Sequence, residues 1–443
     1  MGALFGSAAL AQQASGAEGK KTFTVITDYA FELYGHLDLS VDDATKGIAG
    51  RSNPGPGPAV GKLGWQPAIS SNLSYFGLRG NHSLGEGDLK AVWQIETQVD
   101  VSATPGTGQT DNSVKGAFAS RNSFLGIAGG FGAVKVGKTD APYKLSTGRM
   151  DPFSATVGDY NSIMGNTGGD NRAEFDTRLS HAVWYESPKW DGFSFSALFS
   201  PGQNRSSDNT GYASGEPPIC TGGDSAPCMD GSFDNAYSAA AVYNGGPLYA
   251  IAAAEMHKNV NRTVDEAANG GAAPNGAIGI IDERAYKAGI QYKFPTSTTV
   301  NVIWERMIRN APNPDFNERD RSGYWLALTQ KLGAEDDLNL GWAHANKTPG
   351  DVGTNRADGT SAAGPVDNKA NMYTVGYKHH FADKATTWYL VYARMANNNG
   401  AHYDLGASGH GITTDCHDAN PAGVACYAGA TVQAVSVGMT HNF

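Results

Sequence analysis

The sequence predicts an all-β protein: a transmembrane antiparallel β-barrel of about sixteen strands. Three observations carry this reading. Segment after segment alternates apolar with polar side chains at a period of two, which sets the two kinds on opposite faces of a strand. Short turns alternate with long stretches rich in Gly, Pro, Asn and Asp, the layout of a barrel with tight turns at one end and large loops at the other. Finally, Val435, Val437 and Met439 alternate with Ser436, Gly438 and Thr440 before Phe443. That pattern reads as a closing strand with an aromatic side chain at the membrane edge.

The elements follow in order. Phe31 to Asp43 places Leu33, Leu37, Leu39 and Val41 on one face, and Tyr34, His36, Asp38, Ser40 and Asp42 on the other. After a Gly/Pro-rich connection (RSNPGPGPAVGKLGWQP), a strand from Leu73 to Asn81 meets Leu89 to Asp100 through SLGEGD. In Leu89 to Asp100 the apolar set is Leu89, Ala91, Trp93, Ile95 and Val99, and the polar set is Lys90, Gln94, Glu96, Gln98 and Asp100. No helix separates those two sets. Further strand pairs are expected at 120–129 and 133–138, 177–187 and 193–200, 235–244 and 248–257, 283–294 and 298–309, 323–332 and 338–346, and 371–381 and 387–395, followed by the closing strand.

Composition agrees. A length of 443 residues would suit two or three soluble domains, but Gly numbers 57, aromatics reach 10% and charged residues only 17%. No apolar run of about eighteen residues exists, so no helix of the chain spans a bilayer. A lipid-facing strand needs only every second residue apolar, which fits the mean hydropathy of -0.36. The net charge of -10 argues against a nucleic-acid partner. Residues 1–11 (MGALFGSAALA) read as the remnant of a secretory signal peptide with a small-x-small cleavage site. Residues 12–30 form a lead segment and 31–443 a single barrel domain.

The polar faces carry Lys90, Gln94, Glu96, Gln98, Arg178, Trp184, Glu186, Lys287, Gln291 and Lys378. Sixteen strands close a ring too wide for side chains to fill. Dry burial would cost several kcal/mol per charge, so the enclosed space is expected to hold water. The four cysteines form two local pairs in Gly/Pro/Asp-rich loops, Cys220 with Cys228 and Cys416 with Cys426. In an exported chain these read as disulfides, although four cysteines allow three connectivities. A metal site using His402, His410 and His417 with the second pair lacks the usual ligand spacing, so no metal or other cofactor is expected. His379 and His380 point to opposite sides of a strand and cannot chelate together. No G-x-S-x-G, P-loop, H-E-x-x-H or dinucleotide fingerprint occurs, so the chain is not expected to be an enzyme.

Five segments in order resemble the Gram-negative general porin family in its betaproteobacterial form: LYGHLD, FGLRGNHSLGEGDLKAVWQIE (76–96), SRNSFLGIAGGFGAVKVGK (120–138), RLSHAVWYESPKWDGFSFSALFS (178–200) and VGMTHNF (437–443). The resemblance implies an outer-membrane channel, usually a trimer, for passive diffusion of small hydrophilic solutes and ions. It also implies a third long loop, 140–176, folded inward as a constriction. Asp151, Asp159, Asp170 and Glu174 would lie on that loop, facing Arg121, Lys138 and Arg178 on the wall. Glu96, Gln94, Asp38 and Arg79 would line the lumen, with Arg79 near the periplasmic turn. Tyr75 and Trp184 stand at constriction positions where the family often has basic residues. Their aromaticity should weaken anion preference and leave conduction cation-selective or nearly unselective, or supply a track for ring-bearing solutes, or simply fill wall space. A substrate-specific uptake channel of the same fold is the main alternative, with an outer-membrane barrel enzyme or a soluble β-rich binding protein behind it. Lipid and lipopolysaccharide are the expected surroundings, the latter through divalent cations held by acidic loops.

Overall fold

The computed structural model describes residues 22–26, 29–45, 65–85, 87–102, 118–165, 175–201, 233–261, 280–309, 320–349, 367–398, 401, 403–407, 410 and 431–443. Its strands are β1 (Thr22–Ile26), β2 (Tyr29–Thr45), β3 (Trp65–Ser71), β4 (Tyr75–Ser83), β5 (Lys90–Gln98), β6 (Ser123–Gly129), β7 (Gly132–Asp140), β8 (Arg178–Glu186), β9 (Phe193–Ser200), β10 (Ala236–Gly245), β11 (Leu248–Asn261), β12 (Ile280–Lys293), β13 (Thr298–Arg309), β14 (Ser322–Lys331), β15 (Asp336–Ala345), β16 (Ala370–His380), β17 (Thr386–Asn397) and β18 (Thr431–Asn442). Sequence neighbours pair antiparallel, except that β3 and β4 both pair with β2, and β18 pairs with β2, which closes the ring. Closure pairs the first stave of the ring with the last and so removes the open edges of a sheet.

The ring has sixteen staves, because β3 and β4 together make one. β3 pairs with Leu39–Thr45 of β2, and β4 pairs with Ala30–His36. Between them Leu73 adopts φ 51° and the ladder breaks. Side chains stitch the gap: Asp38 N donates to Ser74 Oγ at 2.9 Å, and Asn72 Nδ2 donates to Ser40 Oγ at 2.9 Å. This stave starts at Trp65, earlier than the period-two reading expects, because Pro67 and the polar residues 70–74 obscure the alternation. β1 lies in the lead segment and forms a hairpin with the start of β2.

Alternation sorts the faces. Val41, Ile69, Leu125, Val136, Phe193, Ile290, Val302, Leu340 and Met439 are between 45% and 64% exposed. So continuous an exposed apolar surface does not belong in water; on a closed antiparallel ring it is a lipid belt. Phe131, Trp190, Phe294, Phe381 and Phe443 are exposed near the short-turn end, where an aromatic girdle sits. On the inner face Asp38, Asp42, Glu96, Lys287, Glu305 and Ser436 are buried.

Phe443 is built into the wall. Phe443 N donates to Gly35 O at 3.1 Å and Gly35 N donates to Phe443 O at 2.9 Å. The Phe443 ring covers Gly35 so closely that a Cβ there would lie 2.3 Å from it. Glycine is therefore required at 35 by close approach.

Candidate functional site

Where β7 ends, the chain enters segment 141–165. It begins with a single helical turn, α1 (Pro142–Leu145), with Pro at its start as expected for a first turn. Two 3₁₀ turns follow, Gly148–Met150 and Tyr160–Ser162. The segment packs against inner-face side chains of β10–β16. Tyr143 N donates to Ser238 Oγ at 3.0 Å, and Tyr143 Oη donates to Glu305 Oε2 at 2.8 Å. Tyr249 Oη donates to Ser146 O at 2.7 Å, and Trp325 Nε1 donates to Met150 O at 3.1 Å. Phe153 seats on Gly341 and Gly376, where added Cβ atoms would come within 2.8 and 2.9 Å of its ring. Met150, Phe153, Val157, Tyr160, Ile163 and Met164 form one buried cluster with Trp325, Met372, Met395, Tyr403 and Leu405. Burial of this order holds a loop in one conformation, since each large side chain contributes about 1.5–3 kcal/mol.

Two acids expected on this segment are used within it. Asp151 accepts from Phe153 N at 2.9 Å and Tyr160 N at 3.1 Å, and Asp159 accepts from Ala155 N and Asn161 N, both at 2.9 Å. Both are buried. Burial, then the neighbouring Asp159 charge, drives the Asp151 carboxyl well above the usual range. Asp170 and Glu174 lie outside the described residues, as do all four cysteines, His402, His417 and residues 1–11.

The wall residues fall into ion-paired groups. Arg121, 2% exposed, donates through Nε to Glu96 Oε1 at 2.6 Å. Its guanidinium lies 4.5 Å over the Tyr75 ring, and Tyr34 Oη donates to Glu96 Oε2 at 3.0 Å. Arg79 pairs with Glu32 at 2.9 Å beside the Tyr34 ring. Arg178 reaches Asp140 at 3.1 Å, Lys144 reaches the same carboxylate at 3.1 Å, and Asn122 links both residues. Gln94 Nε2 donates to Asn122 O at 3.0 Å, so it belongs to this group. Trp184 is buried edge-on to Phe124 and donates to Glu186 Oε1 at 2.9 Å. The lysine in that group is Lys135, 2.8 Å from Glu186. Lys138 stands further along β7, opposite Ser123 and beside a bulge at Gly137/Thr139. Asp38 accepts from Tyr389 Oη at 2.9 Å. Arg121, Glu96, Tyr75 and Arg79 are thus brought together, Arg178 and Gln94 join the Asp140 group, and Trp184 joins Lys135.

Two networks were not singled out from the sequence. Lys287 pairs with Asp176, both fully buried, and lies 4.0 Å over the Tyr143 ring. Gly165 N donates to Glu305, and Arg321 donates to Ile163 O. Only inward parity on β12 and β13 marks Lys287 and Glu305 in the sequence. In the second network, part of the last long loop reaches the same cluster. Tyr403 and Leu405 are buried, and His410 bridges Asp42 Oδ2 at 2.7 Å and Ala155 O at 3.3 Å. Both ring nitrogens face acceptors, a geometry that the doubly protonated imidazolium satisfies. Among the described residues no three His, Cys, Asp or Glu side chains converge as a metal site requires. Chemically, this wall offers paired charges and aromatic rings at which a polar solute could exchange hydration for fixed groups.

A family model described as Gram-negative porin matches residues 1–401. Outer membrane porin protein 32 of Delftia acidovorans is 25% identical over 412 residues, 93% of each chain. Major outer membrane protein P.IA of Neisseria meningitidis serogroup A is 36% identical over 139 residues, which is 31% of this chain and 31% of that protein. The chain thus aligns with under a third of this Neisseria relative's length. The solved structure of an anion-selective porin from Comamonas acidovorans superposes with a TM-score of 0.63 at 19% identity, covering 94% of this chain and 100% of that one.

Proposed function

Since the chain belongs to the Gram-negative porin family and is an outer-membrane barrel, we propose that it forms a water-filled channel for passive diffusion of small hydrophilic solutes and ions. One observation carries this reading: a closed sixteen-stave ring wears its apolar side chains outward and its charges inward. Charges on that inner wall are stable only where water or a counter-charge meets them. Segment 141–165 is the constriction, because it covers the inner faces of β10–β16 and leaves the β2–β8 wall to the solute.

The same reading makes the channel a passive one without enzymatic turnover, trimeric, exported through residues 1–11, and cross-linked by Cys220–Cys228 and Cys416–Cys426. Conductance of the purified protein in a planar bilayer tests the channel directly. Absence of ohmic steps, or hydrolysis of lipid or peptide by the same preparation, would remove it. Lipopolysaccharide bridged by divalent cations is the proposed outer-leaflet partner, and EDTA that left the assembly's heat resistance unchanged would dismiss that contact.

A further inference from the structure

On the wall that segment 141–165 leaves open, part of the surface is ring rather than charge. Glu96 and Arg121 on the inner face are 5% and 2% exposed. The Tyr75 ring lies over the Arg121 guanidinium, and Tyr34 reaches across from β2 to donate to Glu96. The ion pair is thus covered, while the two phenols that pack on it are only half-buried. Tyr75 Oη makes no hydrogen bond among the described residues. It is therefore available to water or to a solute hydroxyl.

Strand register gathers the rings. His36 stands opposite Tyr75 and Tyr34 opposite Gly77. The Tyr34 ring leans over Gly77, where an added Cβ would lie 2.6 Å from it, so the missing side chain gives the ring its seat. Tyr34 and Tyr75 meet edge to face with centroids 6.2 Å apart, and the half-buried His36 ring lies 5.7 Å from Tyr75. On the covered wall the rings are sealed instead: Tyr143, Phe153, Tyr160 and Trp325 are at most 3% exposed. Aromatic rings attract one another edge to face or offset because each carries a quadrupole. A saturated ring of similar width has no such quadrupole and gains only the burial of its surface.

We propose that Tyr34, Tyr75 and His36 form a ring-recognition surface in the passage, one that holds small hydrophilic solutes carrying an aromatic ring. The inference rests on the channel reading above and goes further by naming the residues and the solute class. Two uncharged probes test it with charge selection removed: phenyl β-glucoside and cyclohexyl β-glucoside, titrated against the KCl current of the protein in a planar bilayer. A solute held in the passage reduces that current at a half-saturating concentration. The phenyl probe should need about fivefold less than the cyclohexyl probe, the factor for one aromatic pair. Y34L/Y75L should bring the ratio of the two concentrations close to one, and Y75F, which keeps the ring, should hold it. Y286L, which removes a ring exposed on the lipid face, should also hold it. A parent current that neither probe reduces, or that both reduce at the same concentration, overturns the assignment without recourse to any variant. So does a ratio that survives Y34L/Y75L or falls as far in Y286L. A parent protein that conducts no ions refutes the channel reading instead, so the two failures are distinct.

Discussion

Replacing Glu96 with Gln should destabilise the barrel through Arg121. The guanidinium is 2% exposed, and its Nε lies 2.6 Å from Glu96 Oε1. At an effective dielectric of about 20, a pair of charges about 4 Å apart attracts by about 4 kcal/mol. Removing one partner of a buried pair typically costs about 3–5 kcal/mol because the other charge is left uncompensated. The Tyr75 face stays in place 4.5 Å from the guanidinium and retains about 0.5–2 kcal/mol of that. The loss expected for E96Q is therefore about 3 kcal/mol, read as the urea dependence of folded barrel in lipid vesicles by tryptophan fluorescence and electrophoretic shift. The double variant E96Q/R121Q should recover at least half of it, because neither buried charge remains. An E96Q barrel that unfolds within about 0.5 kcal/mol of the parent would show that water already screens Arg121. In that case the guanidinium would be free to meet solutes.

Other consequences are equally direct. Burial alone would lower the His410 pKa, but the Asp42 carboxylate and its hydrogen bond outweigh burial and hold it above the ordinary value. Its contribution is thus complete below about pH 6.5, the unfolded value, and is lost as pH rises through the raised folded value. Amide protection factors in residues 155–163, taken relative to the intrinsic base-catalysed rate, should fall at alkaline pH in the parent and lose that pH dependence in H410Q. A parent whose protection factors stay constant across this range would contradict the bridge. F153A empties the seat on Gly341 and Gly376 and should cost about 3 kcal/mol, with larger and noisier single-channel conductance; unaltered conductance would mean the segment does not narrow the path. Deleting Phe443, or substituting G35L to expel its ring, should reduce the folded protein recovered from outer membranes. Normal levels of both variants would refute a role for that contact in assembly.

Much of the barrel was readable from local pattern. A period of two in Leu89 to Asp100 identifies both the strand and its faces, because pleat geometry leaves no other arrangement. The exposed Val302, Leu340 and Met439 follow the same rule. The second stave was harder: Asn72 and Ser74 supply side-chain hydrogen bonds where the backbone ladder stops, and no hydrophobic alternation reports that. The bulge at Gly137/Thr139 likewise interrupts the alternation along β7, and Lys135 rather than Lys138 meets Glu186.

The partners of the charges were beyond the sequence. Arg121 and Glu96 are 25 residues apart, and Lys287 and Asp176 are 111 apart; their meeting depends on strand register and on the course of segment 141–165. Sequence alone determined most of the chain's strands, their greasy and polar faces, and the closure implied by their number, since these arise from nearest-neighbour geometry; β1 and the Trp65–Ser71 part of the second stave came only from the structure. Only the tertiary structure decided which inward charges pair with which. Electrostatic pairing depends on distances of a few ångströms between residues far apart in the chain, and no local pattern encodes those distances.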